Sequence, residues 1–73
     1  MTRTAAAAAY RTIRRAYITE QSARCTKYGV SSDVDMFDAE ARCYLKNVEG
    51  VNAPTPADYV AAAQSMLAHL RAA

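Results

Sequence analysis

The sequence predicts an all-α protein, a small three-helix bundle built on an antiparallel helical hairpin, with residues 1–73 as a single helical domain. Three observations lead there. Apolar residues recur at three- and four-residue spacing in three separate stretches. The chain's two glycines, Gly29 and Gly50, fall between those stretches. Alanine, the strongest helix former, supplies much of a 52% hydrophobic composition.

The first helix is expected at about 4–28. Tyr10, Ile13 and Tyr17 share one face, and Ile18, Cys25 and Tyr28 continue on a neighbouring stripe. That change of face predicts a bend near Thr19, and Gly29 supplies the left-handed residue that closes the helix. The second helix, about 33–48, is punctuated by Ser32 as its cap. Asp33, Asp35 and Asp38 lie near the positive end of its dipole, and Gly50 ends it. Val34, Phe37, Ala41, Tyr44 and Val48 form a strict a/d repeat that Leu45 widens. The third helix, about 56–71, opens with Thr55 as cap, Pro56 as first helical residue and Asp58 as the acid of a capping box. Val60, Ala63, Leu67 and Leu70 form its stripe, with Tyr59 and Met66 beside them.

Folding the second and third helices back about the loop from Gly50 to Pro54 sets Val34 near Leu70, Phe37 near Leu67, Ala41 near Ala63 and Tyr44 near Val60. Large faces large, and the alanine pair permits close axial approach. The first helix then lies across the hairpin. At helical rise it is about 37 Å long against about 24 Å for the second. An overhang of Ala5 to Ala9 with Tyr10 and Arg11 is therefore expected, and isolated helix ends are marginal in water, so the chain is expected to form a homo-oligomer.

Alanine buries little area, so the core must rest on Tyr10, Ile13, Tyr17, Ile18, Val34, Phe37, Tyr44, Leu45, Val48, Tyr59, Val60, Met66, Leu67 and Leu70. In a chain of 73 residues such a core supplies only about 3 to 5 kcal/mol, which favours a partner. A charged fraction of 22% argues against wholesale disorder.

The net charge of +2 is small but unevenly spread. Up to Gly29, Arg3, Arg11, Arg14, Arg15, Arg24 and Lys27 stand against Glu20 alone. Beyond it, Asp33, Asp35, Asp38, Glu40, Glu49 and Asp58 outweigh Arg42, Lys46 and Arg71. Such asymmetry points to nucleic acid, to an acidic partner, or to mutual neutralisation of the two halves.

Cys25 and Cys43, with no secretory signal, read as free thiols of a reducing compartment, and the expected location is cytoplasmic. In an antiparallel hairpin they would lie roughly 10 Å apart along the axis, beyond the about 7 Å Cα limit of a disulfide. Arg14-Arg15-Ala16-Tyr17-Ile18 resembles a twin-arginine export motif, but the following Thr19 to Ser32 is polar where an apolar run is required. The first 28 residues share the Arg-, Ala- and Ser/Thr-rich, acid-poor composition of a mitochondrial presequence, a reading set below the cytoplasmic one. No stretch approaches the roughly 20 apolar residues of a membrane span, so no membrane partner is expected.

No catalytic constellation, cofactor or metal site is expected. His69, the single histidine, lies near the end of the last helix with no nucleophile and acid placed beside it. Two cysteines and one histidine at these spacings match no zinc pattern. From Asp33, a calcium loop would need glycine at its sixth position and glutamate at its twelfth, where Asp38 and Tyr44 stand. Both glycines have helix-ending roles, which leaves no glycine-rich phosphate loop.

Gln21 to Ser31, with the small Cys25 four before Gly29, the apolar Tyr28 directly before it and Val30-Ser31 after it, resembles the first helix and turn of the helix-turn-helix DNA-binding family. The resemblance covers about a dozen residues. It then departs: the apolar positions six and nine beyond the turn glycine are Asp35 and Asp38. The helix that would enter the groove carries Asp33, Asp35, Asp38 and Glu40, which phosphates repel.

The remaining candidate surface is the basic, tyrosine-containing first helix: Tyr10, Arg11, Arg14, Arg15 and Tyr17. Arg11 and Arg15 share a face at i, i+4. The expected function is that of a small non-enzymatic interaction protein, a regulator, inhibitor or assembly factor, which binds another protein through this helix. Small phage-encoded effectors share this profile, an analogy of class rather than of residues. The alternative is a nucleic-acid-binding protein that uses Arg11, Arg14 and Arg15, with the tyrosines stacking on unpaired bases.

Overall fold

A computed structural model of the chain describes residues 1–25 and 33–73, and folds them into α1 (Arg3–Cys25), α2 (Val34–Asn47) and α3 (Pro56–Ala72). Gly29, Ser32 and the turn of the helix-turn-helix resemblance lie outside the described residues.

Each helix begins on a side-chain oxygen. The Thr2 hydroxyl accepts from the Ala5 N–H at 3.1 Å, a start the periodicity had left undefined. At α2 the cap is Asp33 rather than Ser32: its carboxylate accepts from the Met36 N–H at 2.7 Å. Asp33 thus both satisfies an orphan donor and places a full negative charge at the positive end of the helix, where a serine would do only the first. At α3 the capping box forms as expected. The Thr55 hydroxyl accepts from the Asp58 N–H at 3.3 Å, Asp58 accepts from the Thr55 N–H at 2.8 Å, and Pro56 opens the helix. The end of α2 reverses through Gly50 at φ +70°, which lets the Val51 N–H return to the Leu45 carbonyl at 2.8 Å.

The three helices alternate in direction. Ring contact between Tyr10 and Tyr59, together with the ion pair between Glu20 and Arg71, sets α1 parallel to α3. Phe37 is level with Ala63 and Leu67, while Tyr44 and Leu45 stand beside Asp58 to Ala62, so α2 runs antiparallel to α3 as the hairpin required. The most extensive contact is nevertheless between α1 and α3, not within the α2–α3 hairpin. α1 runs through Thr19 as a single helix, and its 23 residues, about 34 Å at helical rise, nearly span the 37 Å long axis.

Phe37, 1% exposed, is the centre of the core. The Tyr17 ring packs against it at 5.0 Å between centroids and the Tyr10 ring at 5.7 Å. Ala41 and Ala63 are both fully buried. The a/d pattern of α2 needs correcting at its ends: Val34 is 44% and Val48 68% exposed. The buried stripe is Phe37, Ala41 and Leu45, spaced by four. Val34 is the first residue of α2 and Val48 its C-cap, so both share the azimuth of the buried row but sit at the ends of the helix, beyond the middle turns that its neighbours cover.

The expected overhang is also absent on the inner face of α1. Ala6 is 2% exposed and Tyr10 is tied to all the other helices, so this part of the alanine run packs within the chain. The parallel pairing with α3 brings the start of α1 alongside its neighbour, and side chains without bulk allow the close approach. The argument for a second copy from an unpacked end thereby loses its premise.

Candidate interaction face

The five residues singled out on α1 divide between two faces, because a helix rotates about 100° per residue. Tyr17 is a core residue, 8% exposed, and is not on the surface. Tyr10 is half-buried: its ring lies between Phe37 and Tyr59, at 5.7 Å and 5.9 Å, and its hydroxyl donates to Asp38 Oδ1 at 2.5 Å. Burial first, and then the hydrogen bond and the charge of Asp38, push the Tyr10 hydroxyl pKa well above its ordinary 10.0.

Arg14 stands between the two faces. Its Nη1 donates to both Asp38 oxygens, at 3.1 and 3.2 Å, and its guanidinium lies 5.5 Å from the Tyr10 ring centre. Asp38 was expected to serve the dipole of its own helix. Instead it gathers Tyr10 and Arg14 from α1, a role that no local spacing marks because the partners are 24 and 28 residues away.

Mutual neutralisation of the two halves is therefore realised within one chain at this point. At the other end of the bundle the pairing runs the opposite way, for Arg71 of the acidic half grips Glu20 of the basic half with two bonds, Nε to Oε1 at 3.0 Å and Nη2 to Oε2 at 2.8 Å. The Arg71 guanidinium holds the Glu20 carboxyl below its ordinary range. Arg24 donates to the Ala73 carbonyl at 3.2 Å alongside.

Arg11 and Arg15 remain exposed, with no ion pair among the described residues. They border a shallow cleft of about 620 Å³ along the outer side of α1. Ala8, Ile18 and Val34 give it an apolar wall, Thr12 and Thr19 add hydroxyls, and Arg14 closes one edge. No acidic side chain lines it among the described residues. The sequence pattern assigns Ile18 and Val34 to the core and Ala8 to an overhang, so periodicity alone does not reveal this wall.

His69 is exposed in the last turn of α3, and Cys43 is an exposed free thiol on α2. Among the described residues no group of three or more His, Cys, Asp or Glu side chains is placed to hold a metal ion. Nor, among them, is any helix long and apolar enough to cross a membrane. What these features define is a class, a small three-helix bundle with a basic, partly apolar outer face on its first helix. No protein-family model matches the chain, and neither a curated protein nor a solved structure does.

Proposed function

We propose that this chain is a small non-enzymatic interaction protein, a regulator, inhibitor or assembly factor, that binds a protein partner through the outer face of α1. The observation that carries the reading is the cleft itself: Arg11 and Arg15, unpaired among the described residues, beside the apolar side chains of Ile18 and Val34. Desolvated aliphatic contact with a pair of arginines at its edge is the chemistry of a protein interface, whose buried centre is more apolar than the rest of the surface and in which arginine is enriched.

The nucleic-acid alternative asked for three arginines and two stacking tyrosines. Arg14 is engaged by Asp38, Tyr17 is buried, and the Tyr10 ring is already occupied by Phe37, Tyr59 and the Arg14 guanidinium of the same chain. Two guanidiniums are left on this face, a weak footprint for counterion release. Fluorescence anisotropy against generic single- and double-stranded nucleic acid, at low and physiological salt, tests the choice. No binding at low salt is the expected result. Tight binding that falls steeply with salt would overturn the protein-partner reading.

A further inference from the structure

We infer that the occupant of this face in the isolated protein is a second copy of the chain, related by a two-fold axis. A two-fold contact uses one patch twice, so whatever lies on one side of the axis must be met by what lies on the other. The outer face meets that demand. Arg11 and Arg15 stand on α1, the exposed acids Asp33 and Asp35 stand at the start of α2, and the apolar side chains of Ile18 and Val34 lie in the cleft between the two helices. Rotating the patch about an axis through that apolar strip sets the arginines of one copy against the aspartates of the other, twice over. Val34, 44% exposed, would be covered in the same step.

Two further observations favour a second copy. Phe37 is the one large side chain that is fully buried among the described residues, so the chain has little internal apolar burial to rely on. A standard interface of about 800 Å² per partner would cover about a sixth of the 4985 Å² surface, a large share for a chain with so little internal burial. Self-association through this face also sets the chemistry of any other partner. To displace the second copy it must present acidic side chains beside an apolar residue, as the start of α2 does.

The inference rests on the same face as the interaction reading, but its test contains no partner and no nucleic acid, so the two can fail separately. Sedimentation velocity of the pure chain from low to high micromolar concentration should show a reversible dimer that dissociates as salt is raised. R11E/R15E should weaken it by about a hundredfold or more, with unchanged helical circular dichroism because neither arginine has an ion pair among the described residues. D35K should act in the same direction. Combining R11E, R15E and D35K reverses both signs at once and should restore the dimer. A chain that stays monomeric throughout overturns the inference. So does a dimer indifferent to R11E/R15E, since it would be built on another face.

Discussion

Arg14 and Asp38, 24 residues apart, meet across α1 and α2 in an ion pair of 3.1 Å whose arginine side chain is only 20% exposed. Tyr10 completes the group through its hydroxyl, so one carboxylate serves two donors from the same helix. The backbones of α1 and α2 approach each other over less of their length than any other pair of helices, and this polar group joins them beside the contact of Phe37 with Tyr10 and Tyr17. Asp38→Ala leaves both donors without their acceptor. The expected loss is about 1 to 2 kcal/mol, below the full value of a buried charged bond because the carboxylate retains some solvent access. Urea denaturation measures it. In a double-mutant cycle with Tyr10→Phe the two losses should not add, and simple additivity would show that the hydrogen bond contributes nothing.

The Tyr10 hydroxyl also gives stability a dependence on alkali. In the unfolded chain it ionises near the ordinary 10.0, whereas burial and Asp38 raise the folded value. The unfolded state therefore sheds its proton first. The contribution is whole below about pH 10 and is lost as pH rises through the folded value. Tyrosine absorbance should show the Tyr10 phenol, identified by difference from Tyr10→Phe, released only as helical signal disappears. Tyr10→Phe should remove this component of the alkaline transition. A Tyr10 phenol that titrates normally while the helices persist would contradict the placement of its hydroxyl.

Phe37→Ala should cost about 3 to 5 kcal/mol, comparable with the whole stability of so small a domain. Loss of the cooperative thermal transition is the expected readout. Val48→Ala should leave the midpoint almost unchanged, because that side chain is already mostly in water. The sequence pattern put both residues on one stripe, so a large effect at Val48 would restore that pattern and dispute the packing described here.

The contrast shows what the chain's pattern can and cannot specify. Thr55, Pro56 and Asp58 are a local device whose every bond lies within four residues, and it was readable in full. Phe37, Ala41 and Ala63 were readable because periodicity and the antiparallel register agreed on them. Val34 and Val48 were not, since which end of a stripe is covered depends on where the neighbouring helix lies. Tyr17 was read both as core and as candidate surface, because an aromatic ring with a polar tip suits either, and only the position of Phe37 decides for the core. On the candidate face, Arg11 and Arg15 could be found from charge and spacing, whereas the removal of Arg14 by Asp38 is a tertiary event.

Gly50 gives the last and most local prediction. Its φ of +70° lies in the left-handed region, where a Cβ meets the backbone of its own residue, yet a Cβ built there has nothing else within 4 Å. The cost of Gly50→Ala is thus conformational alone, about 1 kcal/mol, with no clash to add. Asparagine tolerates this region better than alanine, so Gly50→Asn should recover a large part of the loss. The bond from the Val51 N–H to the Leu45 carbonyl depends on the same reversal, and its amide exchange should quicken in the alanine variant. If alanine and asparagine destabilise equally, steric hindrance from outside the turn, rather than the backbone angle, is what glycine relieves.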